Sequence, residues 1–282
     1  MPETPSSPVT KTMSATAPTL PAETLVIEGP DAAQFMHGQF TSRVLALPVG
    51  SWQFSTWLDA TGRVRALFHL ARLADQRWLL LLRGGRAGDL KDELSRFVFR
   101  ARVGLLAQPA GVLTAGPAMA LHAAEEAEGV PHLGCGEHSI VVAAEARGDD
   151  PRALQIREGW PWLHAGAIGQ YNAASLGLHH LGAVALDKGC YPGQEIVARL
   201  HYRGGNKRRL CRVILSQAVA PDTRLKRAGD GAELHLLDAV GGDSGVTGLA
   251  VAHEDWLVAS QDSHDALLTC GARARIVESW GE

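Results

Sequence analysis

The sequence predicts an α+β fold that closes in an all-β module of barrel or sandwich type. Two observations carry this. Apolar residues alternate at the period of a strand through most of the chain, and at the period of a helix in only a few short stretches. After Arg208 strand-like runs recur with Gly and Asp between them and no good helix. A length of 282 residues suits two domains or one large one.

Taken in order, residues 1–22 hold five of the fourteen prolines, eight Ser or Thr and almost no apolar side chain. Such a stretch buries too little surface to offset its conformational entropy, so a disordered tail is expected there. It lacks the continuous apolar core of a secretory signal, and with Lys11 and no Arg it lacks the basic face of a mitochondrial presequence. The cytoplasm is the default location, and Met13 is an alternative start.

Order is expected from Thr24–Glu28, a short strand, followed by Gly29-Pro30-Asp31 and a helix to about Gly38 with Asp31 placed to cap it. Ser51–Leu58 reads as a strand and Asp59-Ala60-Thr61-Gly62 as a turn. Arg63–Leu73 and Arg77–Arg83 read as further strands. Arg86–Phe99 places Leu90, Leu94, Phe97 and Val98 on one helical face. Strands are expected at Ala101–Gln108 and His138–Glu145, with Gly148-Asp149-Asp150-Pro151 as a connector into the Arg157–Leu163 region. The β module follows, with strands at Leu210–Leu215, Ala232–Leu237, Val246–His253, Leu257–Ser260 and Ala272–Val277. The expected domains are thus the tail 1–22, a mixed body 23–207 of two subdomains, and a module 208–282.

Composition narrows the function classes. The longest aliphatic run, Leu79–Leu82, is far short of the roughly 20 apolar residues that cross a bilayer, so a membrane span is excluded. The net charge of −3 argues against a nucleic-acid coat protein, but Lys188–Arg212 holds seven basic residues against Glu195 alone. A basic segment on an acidic body reads as a local anion site or as a solvated surface. Tyr202 is its lone aromatic after Tyr191, so direct nucleic-acid binding is not expected. The cysteines at 135, 190, 211 and 270 form no C-x-x-C pair and fit reduced thiols.

Three stretches invite chemistry. Gly84-Gly85-Arg86-Ala87-Gly88 lacks the G-x-G-x-x-G spacing and reads as a turn and helix start. His132, Cys135 and His138 bring three soft ligands together, with His122 or His164 as a fourth. Gly134 and Gly136 instead read as a loop entering a strand, so no permanently bound metal is expected.

The third stretch runs from Asp187 to Arg199. Gly182–Leu186 reads as a buried strand and Pro192 as the first residue of a helix, with Ile196, Val197 and Leu200 on its core face. Glu195 and Arg199 are spaced as an ion pair on the other side. Cys190 would then lie at a strand-to-helix turn, two residues from Lys188, where helix N–H groups and an ammonium both favour thiolate. Arg203-Gly204-Gly205-Asn206-Lys207-Arg208-Arg209 joins flexible backbone to cations, as in a phosphate or polycarboxylate cradle or a charged hairpin.

The run KGCYPGQEIVARLHYRGGNKRRL resembles the signature of the YgfZ family, folate-binding relatives of the glycine-cleavage T-protein. Gly29–Gln39 is similar to that family's early G-x-D-A-x-x-F-x-x-G-Q segment, Asp59–Arg63 to its turn, and Gly159-Trp160-Pro161 to its mid-chain motif. The resemblance implies a T-protein-like ring of three subdomains around a central folate cleft, with a C-terminal β-barrel module. It implies tetrahydrofolate or a related folate as ligand, and iron–sulfur client enzymes or assembly factors as partners, including enzymes that modify tRNA. Cys190 would be the functional thiol with Lys188 beside it. Tyr191, Gly193, Gln194 and Glu195 would shape or bind in the loop, and Arg199 and Arg203 would bind or brace.

Some positions depart from the family. Where the T-protein carries an acidic pair used in aminomethyl transfer, this chain reads Gly62-Arg63-Val64-Arg65-Ala66-Leu67. Ala173, Ala174 and Gly177 stand where relatives often have Pro-Gln and Asn, and Arg43 where they commonly have an acid. The function expected is an accessory protein for iron–sulfur enzymes, the alternative a folate-dependent one-carbon transferase.

Overall fold

The computed structural model describes residues 20–145, 148–242, 245–259 and 265–281. Most of the expected tail, residues 1–19, lies outside them. Its end does not behave as a tail: Leu20 is buried, and β1 (Pro21–Ala22) pairs with β7 (Gly111–Gly116).

The first sheet is antiparallel and contains β2 (Thr24–Glu28), β3 (Ser51–Leu58), β4 (Val64–Ala74), β5 (Arg77–Leu82) and β6 (Gly104–Ala107), in the order β3-β4-β5-β2-β6. Both of its faces are covered. Leu25, Ile27, Trp78, Leu80 and Leu82 pack under α1 (Ala32–Gln39) and α2 (Ala87–Ser95), while Val26, Leu79 and Leu81 point the other way into a shared core. Successive strand residues face opposite sides, which is why Trp78–Leu82 is apolar throughout rather than alternating.

The second sheet, β1-β7-β10-β9-β8, adds β8 (Ala124–Ala127), β9 (Val130–Gly134) and β10 (Ser139–Ala143). Strands β7, β8 and β9 were not expected from the sequence. They are short and rich in Gly, Ala and Glu, so their apolar pattern is weak. After α3 (Arg152–Arg157) and α4 (Gln194–Arg203) comes the third sheet. It comprises β11 (Arg208–Leu215), β12 (Thr223–Lys226), β13 (Glu233–Gly242), β14 (Gly245–His253), β15 (Ala266–Leu267) and β16 (Arg273–Trp280), ordered β12-β13-β14-β11-β16-β15. Register shifts in β13 and between β11 and β16 bend it, and it curls into a half-barrel.

All three sheets feed one core cluster. Trp52 and Phe54 come from the first, Leu113, Leu133 and Ile140 from the second, and Leu210, Leu237, Leu249 and Val251 from the third. Trp52, Phe54, His69 and Trp160 pack there with ring centroids 4.5–5.8 Å apart. The part of the junction these rings occupy is filled rather than open.

Local differences from the sequence reading have identifiable causes. Residues Leu257–Ser260 were expected as a strand; 254–259 form a helix, α5, and Ser260 lies outside the described residues. Trp256 fixes this turn by sinking fully into the module core and donating its indole N–H to Ala232 O at 2.9 Å. Helix α2 ends at Ser95, so Phe97 leaves the helical face and is exposed. Asp31 makes no side-chain cap; its carboxylate accepts Arg102 N at 2.8 Å and Arg102 Nε at 3.2 Å.

The turn 59–63 meets the start of α4 backbone to backbone. Gly62 and Gly193 both have positive φ, and a Cβ on Gly193 would lie 2.6 Å from Asp59 O and 2.9 Å from Gly62 Cα. Gly193→Ala should therefore lower the unfolding free energy by about 2–4 kcal/mol in urea titration. Gly182→Ala, also at positive φ but with nothing within contact distance of the added carbon, should cost only about 1 kcal/mol.

Candidate functional site

The segment expected as a strand, Gly182–Leu186, is an irregular loop. It finds one partner rather than a ladder: Thr41 Oγ1 donates to Ala183 O at 2.6 Å, and Ala185 N–H donates to Thr41 O at 2.9 Å. Pro192 is not the first helical residue. Gly193 is the N-cap in left-handed conformation, and α4 begins at Gln194. Only Val197 of the expected helix face is fully buried, while Ile196 and Leu200 are partly covered.

Lys188 organises the loop. Its ammonium donates to three backbone carbonyls, those of His37 (2.6 Å), Phe40 and Ser42 (3.2 Å), at the C-terminal end of α1. Cations suit that end of a helix, where carbonyls lack intrahelical partners. Three acceptors match the three ammonium protons, so none is left for a sulfur at 190. Burial pulls Lys188 down to about 8, and the carbonyls act the other way because only the charged form supplies three donors. Beside it Arg43 closes on Asp187, its Nε donating to Oδ1 at 3.1 Å, which holds the Asp187 carboxyl below its usual range. Arg43, without explanation in the sequence, is therefore a second tie between the same two segments.

The rest of the signature locks the loop from within. Tyr191 is buried, donates to Ala185 O at 3.2 Å, and its phenol is pushed up to about 12 by burial. Gln194 Nε2 reaches Lys188 O at 3.4 Å. Cys190 is exposed on the loop so formed. The ammonium expected beside its sulfur points elsewhere, and α4 begins only at Gln194. Glu195 and Arg199 are both exposed, and no ion pair joins them among the described contacts. The basic run divides: Lys207 pairs with Glu254 at 3.1 Å and Arg212 with Glu278 at 2.9 Å, while Arg203 stands exposed at the end of α4.

Next to α4 lies a cavity of about 400 Å³ lined by Ala174, Gly177, His179, His180 and the strand end Ser279–Gly281. Two of the positions that depart from the family pattern thus face a cavity. His180 and Trp280 have ring centroids 6.2 Å apart, and His179 stacks on His201 at 5.5 Å. The sequence reading missed Trp280, His179 and His180, because the wall comes from the far C-terminal strand and no spacing announces it.

The other motifs are structural ties. Arg83, buried, donates to Gln155 Oε1 (2.5 Å), Trp160 O (2.7 Å) and Pro161 O (3.2 Å), and so fixes the Gly159-Trp160-Pro161 segment. At Gly84, a Cβ would fall 2.0 Å from Leu163 O, so the glycine serves close packing rather than a nucleotide. His132, Cys135 and His138 do not assemble: among the described residues no group of three His, Cys, Asp or Glu is arranged to hold a metal. The Cys135 thiol donates to Leu133 O at 3.4 Å and burial pushes it up to about 12. Among the described residues no helix is long and apolar enough to cross a membrane.

No family model matches the chain. Curated proteins do. It is 29% identical over 244 residues to the "tRNA-modifying protein YgfZ" of Shigella boydii serotype 4, covering 74% of this chain and 73% of that one. The chain is a relative of YgfZ. The YgfZ of Colwellia psychrerythraea is 27% identical over 219 residues, covering 65% of this chain and 66% of its own. An uncharacterized protein of Haemophilus influenzae matches at 27% over 195 residues, 64% and 67% of the two chains. Among solved structures, the glycine cleavage system aminomethyltransferase T of Bartonella henselae superposes with a TM-score of 0.67 at 16% identity, over 91% of this chain and 82% of that one. The fold is therefore T-protein-like, as the YgfZ resemblance implied.

Two measurements check this description. Lys188→Met leaves three carbonyls without their donor and should destabilise by about 2–4 kcal/mol while exposing the 182–193 loop to protease. Alkylation of the folded protein near neutral pH should modify Cys190 and Cys270 about a hundredfold faster than Cys135 and Cys211, both buried and pushed up to about 12.

Proposed function

We propose that this chain is a folate-binding accessory protein that supports assembly or repair of iron–sulfur clusters, and so iron–sulfur-dependent tRNA modification, through Cys190. The observation that carries the reading is an exposed cysteine on a loop whose backbone is clamped on both sides, by Lys188 before it and Gly193 after it. A thiol presented this way meets a protein-bound cluster or its iron without needing a pocket of its own. The curated relatives named as tRNA-modifying and the aminomethyltransferase fold agree with this role.

A reduced folate, when bound, carries a one-carbon unit. The cavity beside α4 fits the ring end of such a molecule: Trp280 and His180 offer aromatic faces for stacking, and Gly177 and Gly281 keep the walls free of side chains. His179 and Ser279 supply polar edges there, while the position where an amide is common in the family holds Ala174. Aminomethyl transfer is disfavoured. Arg65 sits where an acid is needed and pairs with Glu93 at 3.3 Å. The turn's own carboxylate, Asp59, already accepts from Thr61 N, Thr61 Oγ1 and Arg63 N on one oxygen.

Cys190→Ser in cells should lower the activity of iron–sulfur enzymes that modify tRNA by about tenfold or more, a loss expected when an anionic ligand sulfur is replaced by a hydroxyl. The purified variant should keep the wild-type melting curve and bind tetrahydrofolate in calorimetry as the parent does. Unchanged enzyme activity in that strain would remove the thiol from the mechanism.

A further inference from the structure

A second cavity of about 390 Å³ is lined by Tyr171, Arg208, Arg224 and His235 among others. It holds a chain of buried polar groups that the reading above does not use. Tyr171 Oη and His235 Nδ1 are 2.7 Å apart, and His235 Nε2 is 2.9 Å from Asp222 Oδ1. The second oxygen, Asp222 Oδ2, accepts the Gly166 N–H at 2.8 Å. Tyr171 and His235 are almost fully buried, and Asp222 sits in the turn before β12 in the left-handed conformation that Asp tolerates.

The direction of the hydrogen bonds follows from the carboxylate. Ionised Asp222 is an acceptor only, so His235 donates from Nε2, and its Nδ1 accepts the phenolic proton of Tyr171. Burial lowers the imidazole below its ordinary range, which keeps it neutral and the order fixed. The Tyr171 oxygen is left with lone pairs facing the cavity. Arg208 and Arg224 both lie within electrostatic reach of that phenol.

The two arginines differ from the other charges of the rim. Asp230 is closed on Arg227, Glu233 lies 3.8 Å from Lys226, and Asp255 is 2.8 Å from His253. Arg208 and Arg224 have no carboxylate partner among the described residues. Strand register sets them apart: Arg224 on β12 pairs with His235 on β13, and Arg208 on β11 pairs with His253 on β14. Two guanidinium groups lining one cavity suit an anion with several acceptor oxygens spread in three dimensions. A planar carboxylate is satisfied by one fork.

We propose that this cavity is a phosphate-binding site, in which Arg208 and Arg224 clamp the phosphate group of a ligand over the fixed Tyr171–His235–Asp222 floor. The phosphate belongs either to a small phosphorylated metabolite or to the backbone of an RNA, and the site uses the same chemistry for both. The full chain is titrated calorimetrically with inorganic phosphate, a nucleoside monophosphate and a short single-stranded oligoribonucleotide. Saturable binding of at least one is expected, weakened at least tenfold by Arg224→Gln and by Arg208→Gln, both exposed and so harmless to folding. Tighter binding of the mononucleotide identifies a small ligand; tighter binding of the oligonucleotide, with a salt slope that falls by about one per arginine removed, identifies RNA. Absence of saturable binding of all three probes, or binding indifferent to both arginine substitutions, overturns the proposal.

Discussion

The ammonium of Lys188 in its cup of three carbonyls is the interaction on which the candidate site depends. A half-buried cation without a carboxylate is costly unless its protons are taken up, and here the donor and acceptor counts match. The acceptors are backbone atoms at the end of α1, so the tie is to the chain path itself and not to a side chain that can swing. Asp187, Lys188 and Ala185 are thereby held against 37–43, and Cys190 follows at a fixed point in space. Arg83 repeats the device at the junction of the sheets, reading the carbonyls of Trp160 and Pro161 from β5.

This changes what the short motifs mean. Gly29 approaches Arg102 so closely that a Cβ would fall 2.2 Å from its carbonyl oxygen, and Gly159 packs on the Trp280 ring at 2.8 Å by the same measure. Gly62 faces Gly193. Each motif that carried the resemblance is thus a place where one segment touches another with no room for a side chain. Their co-occurrence in one sequence specifies a set of long-range contacts.

Much of the fold was legible because its physics is local. The first sheet's strands appeared almost at their observed limits, since Ser51–Leu58 and Arg77–Leu82 have both the right period and clear turn residues at their ends. What failed was judged by the same local signals where they carry little information. Gly182–Leu186 is apolar enough for a strand, yet its backbone bonds go to single residues, His179, Leu178, Thr41 and Tyr191, rather than to a neighbouring strand. Leu257 belongs to a helix because Trp256 requires a deep pocket under the sheet, a demand set by the module and invisible in a four-residue window. At the site, the exposure of Cys190 was within reach of the sequence; the true partner of Lys188, more than 140 residues away in the chain, was not.

The glycine-to-glycine contact between residues 62 and 193 has a practical corollary for protein engineering. Because no side chain intervenes, the hairpin turn and the helix start behave as one mechanical part, although they are distant in the chain. Grafting the cysteine-bearing string onto another scaffold would carry over its letters without its geometry. The smallest transplantable unit comprises three pieces: the end of the first helix, the hairpin turn and the loop itself.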